Sequence, residues 1–129
     1  MSTSNYRSLA LVTALALSPV ASADSIIESW NCTLKEGKTF EELVAVSSQW
    51  LKAARTMSGG DQTKVNLMVP MVPNDGTGKF QFVAVVPDTS VWGAFNKDYV
   101  GSPAAKVDEA WSLVADCSSN SLWASVEIE

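Results

Sequence analysis

Histidine is absent from this chain of 129 residues. Without an imidazole there is no Ser-His or Cys-His catalytic pair, no histidine general base and no proximal ligand for haem, and most zinc sites are excluded as well. The sequence therefore predicts no metal site and no cofactor, and it excludes many classes of enzyme.

Cationic residues are scarce, with 9 Lys and Arg against 14 Asp and Glu and a net charge of −5. An acidic chain is repelled by phosphate backbones and by anionic lipid surfaces. We therefore expect neither nucleic acid nor a membrane among its partners.

Apolar runs of membrane-spanning length are also missing. The run from Leu9 to Leu17 is about half of the roughly 20 residues that a transmembrane helix needs. Arg7 precedes this run, and the small residues Ala21-Ser22-Ala23 follow it in the A-x-A form that signal peptidase cleaves behind. We therefore predict that residues 1–23 are a cleaved signal peptide and that residues 24–129 form one domain, exported to the periplasm or out of the cell.

Cysteine occurs twice, at Cys32 and Cys117. An even count in an exported chain favours a disulfide, whereas two buried thiols would be hard to keep reduced in an oxidising compartment. No C-x-x-C spacing suggests a catalytic redox role. We predict a structural disulfide between these two residues.

The first half of the mature chain contains one predicted helix between strands. Ile26–Leu34 alternates with the period of a strand, and Thr39-Phe40-Glu41-Glu42 has the form of a capping box at the start of a helix. The apolar stripe predicted for this helix consists of Phe40, Leu43, Val44, Ser47, Trp50, Leu51 and Ala54. Two further strands, Lys64–Val72 and Lys79–Pro87, are predicted on either side of a turn at residues 73–78.

The second half of the mature chain is predicted to contain two helices and a last strand. A short helix with a cap at Asp88 or Thr89 is expected between Asp88 and Gly101, and Ser102-Pro103 is a typical start for the next helix. The apolar stripe of that helix is predicted to be Val107, Ala110, Trp111, Val114 and Cys117. Alternation from Leu122 to Ile128 predicts the fourth strand.

The order β-α-β-β-α-β predicts a ferredoxin-like α+β fold, with an antiparallel sheet in the order 4-1-3-2 and both main helices on one face. In this order the second strand lies at an edge, which suits Pro70, and the apolar third strand lies inside the sheet. The fourth strand pairs with the first, and this pairing brings Cys117 close to Cys32.

The chain resembles the dimeric α/β-barrel superfamily of ferredoxin-like domains. The resemblance is carried by this order of elements and by the aromatic stretch Ser90–Tyr99, which looks like the short helix that such domains place before their second main helix. The superfamily includes cofactor-free oxygenases and small-molecule lyases. The resemblance implies two protomers packed sheet against sheet, with sites between the sheet and the helices or at the dimer seam.

The face of the sheet that points away from the helices also favours a homodimer. Its apolar part is larger than soluble domains usually leave exposed. The alternative is an open antiparallel sheet with one face in contact with solvent. Alternation assigns to this face Ser29, Asn31, Thr33, Asn66, Met68, Pro70, Gln81, Val83, Val85, Trp123 and Ser125.

Five tryptophans raise the question of a ligand site. Trp30, Trp50 and Trp111 lie on predicted core stripes, so core packing is expected for them. An apolar pocket for a small ligand is predicted from the remaining aromatic and amide side chains, which are Trp92, Phe95, Tyr99, Asn31, Asn66, Gln81 and Trp123. Glu28 is a weak catalytic candidate, because alternation places it on the helix-facing side; a solvated carboxylate is the alternative.

Two classes of function follow from these observations. The first is a small-molecule-binding or interaction module. The second is a cofactor-free oxygenase, isomerase or lyase that acts on a small aromatic or lipidic substrate. The sequence alone does not decide whether the chain is an enzyme.

Overall fold

An antiparallel sheet of four strands carries helices on one of its faces in the computed structural model, which describes residues 24–72 and 76–129. The predicted signal peptide and the first part of the predicted turn, residues 73–75, lie outside the described residues. Among the residues that are described, no helix is both long and apolar enough to cross a bilayer.

The order of elements confirms the predicted ferredoxin-like fold. The strands lie in the order β2-β3-β1-β4, and each neighbouring pair is antiparallel. The elements are β1 (Ser25–Leu34), α1 (Phe40–Ala54), β2 (Lys64–Met68), β3 (Lys79–Val86), α2 (Thr89–Lys97), α3 (Pro103–Ser112) and β4 (Ala115–Ser125).

Each helix begins at a side-chain cap, as expected. Thr39 and Glu42 form the predicted capping box, in which the Glu42 amide donates to Thr39 Oγ1 (3.2 Å) and the Thr39 amide donates to Glu42 Oε2 (2.8 Å). Asp88 Oδ1 accepts from the amide of Val91 at the start of α2, and Ser102 caps α3 directly before Pro103. These caps satisfy amides that the first turn of a helix leaves without a partner.

The boundary between α3 and β4 differs from the prediction. The helix ends at Ser112, and β4 begins at Ala115, so that Cys117 lies in a strand and not at the end of a helix. The segment Ser118–Ser121 was expected to separate the two elements, but it pairs with β1. Pairing along the whole of β1 outweighs the weak strand propensity of serine and asparagine, which are tolerated because β4 is an exposed edge strand.

The second strand and the stripe of α1 need smaller corrections. β2 ends at Met68, so Pro70 lies beyond the strand instead of in it, because proline cannot donate to the ladder. On α1, Val46 is buried in place of Phe40 and Val44, which are 40% and 43% exposed. The helix is therefore rotated slightly from the predicted orientation.

The core lies between the helices and the face of the sheet that we call the inner face. Phe82 is at its centre, with ring centroids 5.3 Å from Trp50, 5.6 Å from Trp30 and 5.8 Å from Trp111. All three pairs are edge-to-face contacts, a favourable arrangement for aromatic rings. The core packing expected of these three tryptophans is thus present.

The predicted disulfide is present between Cys32 and Cys117, which are directly opposite each other on β1 and β4, with Cα atoms 4.0 Å apart. The bridge lies next to an irregularity in the ladder between Asn31 and Cys32. It joins residues 85 positions apart in the chain and ties the edge strand β4 to the centre of the sheet.

Candidate functional site

A cavity of about 310 Å³ lies between the inner face of the sheet and the helices, and we call it the inner cavity. Its volume is near the lower end of the range for ligand pockets, roughly 300–1,000 Å³. It is lined by Glu28, Trp30, Trp50, Thr63, Ala84, Val86, Trp92, Phe95, Asn96, Tyr99 and Asp108.

Glu28 is held in place on one wall of the inner cavity by two donors. Trp92 Nε1 of α2 donates to Glu28 Oε2 (3.0 Å), and Asn120 Nδ2 of β4 donates to Glu28 Oε1 (3.2 Å). Glu28 lies within β1 and is paired with Ala84 and Leu122 on its two sides, so it does not belong to a frayed strand end. The carboxylate therefore has a fixed position on the helix-facing side of the sheet.

A second group of hydrogen bonds at the inner cavity joins α1 to α3 through the loop between α2 and α3. Trp50 Nε1 donates to the Tyr99 hydroxyl (2.9 Å), which donates to both carboxylate oxygens of Asp108 (2.9 Å each). Burial, followed by the field of Asp108, raises the pKa of Tyr99, so the phenol stays protonated. Partial loss of solvent likewise raises the pKa of Asp108, although the hydrogen bond from Tyr99 opposes that change.

Thr63 lines the inner cavity and has a buried hydroxyl. The residue is 2% exposed, and its Oγ1 has no hydrogen-bond partner among the described residues. A buried hydroxyl without a partner costs about 1–3 kcal/mol. A ligand or a water molecule in the cavity could provide the missing partner.

The loop after α1 is positioned against α2 by a glycine. Gly59 has a φ of 75°, and a Cβ added there would lie 2.6 Å from the carbonyl oxygen of Val91. A side chain at this position would combine a left-handed backbone with a clash against backbone. Gly59 thus allows the close approach of the loop that leads to Thr63 and the helix that carries Trp92.

A smaller cavity of about 110 Å³ adjoins the inner cavity and shares four of its lining residues, Trp30, Trp50, Tyr99 and Asp108. It extends the space toward Trp111 and Cys117. The disulfide therefore borders the same region.

The structure divides the predicted ligand-binding residues between the two faces of the sheet. Trp92, Phe95 and Tyr99 line the inner cavity together with Glu28. The other four lie on the opposite side, which we call the outer face, and they are Asn31, Asn66, Gln81 and Trp123. The seven residues do not share one cavity, because alternation in a strand sends neighbouring side chains to opposite faces.

The outer face has its own polar network and a groove of about 430 Å³. Asn31 is the centre of the network, since its Nδ2 donates to Ser119 Oγ (3.0 Å) and its Oδ1 accepts from Gln81 Nε2 (3.0 Å). Met68 and Trp123 are 54% and 60% exposed on this face. Its partly polar, open character differs from that of the inner cavity.

Sequence reasoning did not identify Asp108 and Thr63 as site residues. Asp108 lies four residues after Ala104 and three before Trp111, and this helical spacing could have placed it on the inward side of α3. Thr63 directly precedes β2, and nothing in the local pattern distinguishes it from an ordinary loop residue. Trp30 and Trp50 were expected only in the core, yet both also line the inner cavity.

Apart from the indole nitrogens, the polar groups of the residues that line the inner cavity are two carboxylates, a phenol, a hydroxyl and an amide. Within residues 24–72 and 76–129, no group of three or more His, Cys, Asp or Glu side chains could hold a metal ion. The arrangement can bind a polar group among aromatic rings, or it can accept a proton at a carboxylate.

Comparison with known proteins gives similarity only at the level of the fold. No protein-family model matches the sequence, and no curated protein matches it either. SnoaB, a cofactor-independent oxygenase from Streptomyces nogalater, has a similar structure with a TM-score of 0.59 and 11% identity, over 82% of this chain and 97% of that one. The similarity shows the fold alone.

Two further structures are similar. A candidate antibiotic biosynthesis monooxygenase from Chloroflexus aurantiacus J-10-fl has a TM-score of 0.54 and 8% identity, covering 81% of this chain and 96% of that one. A dimeric protein of unknown function with a ferredoxin-like fold from Bacteroides fragilis NCTC 9343 has a TM-score of 0.43 and 11% identity, over 78% of this chain and 93% of that one.

Proposed function

We propose that the chain binds a small organic molecule in the inner cavity. The observation that carries this proposal is a cavity lined by aromatic rings and by Thr63, a residue whose buried hydroxyl has no partner among the described residues. Buried polar groups are normally hydrogen-bonded, and an exception at a cavity wall points to an absent partner.

The residues that line the inner cavity define which chemical groups a ligand needs. Aromatic and aliphatic side chains favour an apolar body, whereas Glu28 and Asp108 are hydrogen-bond acceptors when ionised. A ligand with an apolar body and a donor group matches both. The volume limits it to a molecule near the small end of the usual range.

Filling the cavity tests this function. Ala84 is buried on the inner face and lines the cavity, so Ala84→Leu should occupy ligand space. Ala45→Leu is a matched control on the exposed side of α1. Phenol, indole and benzyl alcohol are titrated while tryptophan fluorescence and calorimetric heat are followed. We expect saturable binding that weakens about tenfold or more in Ala84→Leu and is unchanged in Ala45→Leu. Equal binding by the two variants would contradict the proposal.

Cofactor-free oxygenation is the second candidate, favoured by the pairing of Asp108 with Tyr99. A carboxylate whose pKa is raised is a stronger base than usual, and the hydrogen bond from Tyr99 holds Asp108 in place. In such a reaction Asp108 takes a proton from an activated CH₂ group, and the carbanion reacts with O₂. The carbon is oxidised to a carbonyl that keeps one oxygen atom, while the other is reduced and leaves as water.

Oxygen consumption separates the two candidates. An oxygenase consumes one O₂ per substrate molecule, and Asp108→Asn should abolish this while leaving binding measurable. A binding protein shows saturation without consumption or product.

We infer that two copies of the chain pair through their outer faces. Met68 and Trp123 are exposed apolar side chains there, and Val85 is partly exposed on the same face. Two-fold pairing of one self-complementary patch is the commonest way for a small domain to cover such a surface. Size exclusion with light scattering should give about twice the mass of the monomer.

Export with cleavage after Ala23 is the remaining part of the proposal. The disulfide and the A-x-A site support it. Intact mass spectrometry of exported protein should show a chain that begins at Asp24, about 2 Da lighter than the dithiol form because disulfide formation removes two hydrogens. A mass that includes residues 1–23 would contradict cleavage.

A further inference from the structure

The residues that line the inner cavity include negatively charged side chains but no positively charged ones. Glu28 and Asp108 are carboxylates, and the described lining contains no lysine or arginine. The ion pairs found in residues 24–72 and 76–129 are Lys35–Asp116 and Lys38–Glu42, and neither includes Glu28 or Asp108. Both carboxylates therefore line the inner cavity without a lysine or arginine beside them, and such a cavity favours a ligand of opposite charge.

Hydrogen bonds to the two carboxylates do not remove this imbalance. The donors are the Trp92 and Asn120 nitrogens on Glu28 and the Tyr99 hydroxyl on Asp108, all of them neutral groups. An ionised carboxylate has about four lone-pair sites, so capacity remains on both residues. The donors orient the carboxylates and leave their charge available to a ligand.

Aromatic rings surround the same space. Trp30, Trp50, Trp92, Phe95 and Tyr99 all line the inner cavity. Tryptophan is the ring that attracts a cation most strongly through its π-face, and this attraction increases when the cation is desolvated. An anionic ligand would be repelled by both carboxylates, and a neutral one would leave them without a counter-ion.

We propose that the ligand of the inner cavity is a small organic cation, an ammonium group carried on a short apolar body. This inference rests on the binding function proposed above and names the class of ligand. The carboxylates supply the opposite charge, the indole rings supply cation–π contacts, and the Thr63 hydroxyl supplies a hydrogen bond to a polar group of the ligand. The net charge of −5 also attracts cations toward the protein.

The test uses choline and its neutral isostere 3,3-dimethylbutan-1-ol, in which a carbon atom replaces the ammonium nitrogen. Both are titrated into the oxidised, mature chain by calorimetry. We expect choline to bind about tenfold or more tightly than the alcohol, because a desolvated cation–π contact together with an opposite charge contributes at least ~1.4 kcal/mol.

Charge-neutralising variants then locate the preference. Glu28→Gln and Asp108→Asn should each reduce the ratio of choline affinity to alcohol affinity several-fold, whereas Glu109→Gln, an exposed carboxylate next to Asp108 in the chain, should leave it unchanged. Near-ultraviolet circular dichroism confirms that each variant is folded.

The outcomes separate the two proposals. If the alcohol binds as tightly as choline, or if Glu109→Gln has the same effect as the two site variants, the preference for a cation is wrong while binding in the cavity stands. If choline, the alcohol and the neutral aromatic probes all fail to bind, both the ligand class and the proposed function are wrong.

Discussion

The inner and outer faces of the sheet are built by alternate residues of the same strands, yet they differ in the size, burial and polarity of most of their side chains. The inner face carries large rings beneath the helices, whereas the outer face carries short polar side chains with a few exposed apolar ones. Neighbours such as Trp30 and Asn31 are thus placed in different environments by one step along β1. If the proposals above are correct, the proposed ligand site and the proposed partner surface can be changed separately by substitutions on different faces of the sheet.

Removing the disulfide should have the largest effect on stability, because the bridge links the edge strand β4 to β1 and so supports both faces of the sheet. Replacing Cys32 and Cys117 by alanine together should lower the free energy of unfolding by about 4–5 kcal/mol, because the bridge closes a long loop. Urea denaturation of the variant and the oxidised wild type measures the difference. A loss below about 1 kcal/mol would show that the strand pairing alone holds β4.

Adding a charge to the outer face should weaken the proposed dimer. Met68→Lys places an ammonium in each half of the proposed interface, and we expect the dimer dissociation constant to increase about 100-fold or more, equivalent to ~2.7 kcal/mol. Met68 is a better position than Val83, which is 5% exposed in the monomer and whose replacement would also perturb the sheet.

Leu113→Lys is the control for that experiment, because Leu113 is 67% exposed at the end of α3 and does not belong to a strand of the outer face. Analytical ultracentrifugation should show this variant to be dimeric. A wild type that is monomeric at micromolar concentration would refute the interface.

The inner face should show a trade-off between stability and binding at Thr63. Thr63→Val removes the unpartnered hydroxyl while preserving shape, so the free chain should gain about 1 kcal/mol of stability. The same change should weaken choline binding several-fold. Thermal unfolding with and without ligand measures both, and a variant that is less stable and binds equally well would show that Thr63 only packs.

Sequence patterns predicted the fold well at positions where a strong local motif marks the start of an element. The capping box at Thr39 and the Ser102-Pro103 helix start follow from local chemistry, and the edge position of the second strand follows from the order of the elements. The start of β4 could not be predicted in this way, because serine and asparagine between Ser118 and Ser121 resemble a loop until their pairing with β1 is known.

The site was harder to predict than the fold. Periodicity assigned Glu28 to the inward side, but it did not identify Thr63 and Asp108, whose importance depends on distant elements. Trp50 of α1 and Asp108 of α3 meet at Tyr99, which lies in the loop between α2 and α3. Such a convergence is a property of the tertiary structure and has no local signature.

The smallest effect concerns pH. The pKa of Asp108 is raised in the folded chain above its ordinary value near 3.8, so the unfolded chain loses its proton first as the pH rises. The contribution of Asp108 to stability is therefore full below about 3.8 and decreases as the pH rises through the folded pKa. Relative to Asp108→Asn, the wild type should lose stability across that window, as chemical denaturation at several pH values would show. A relative gain would contradict the sign.

Choline titration of two variants tests the independence of the two faces most directly. The account predicts that Met68→Lys is monomeric and binds choline with wild-type affinity at one site per chain, whereas Ala84→Leu remains dimeric and binds at least about tenfold more weakly. If Met68→Lys loses binding while Ala84→Leu retains it, the ligand belongs to the outer face or the dimer seam, and the central claim is wrong.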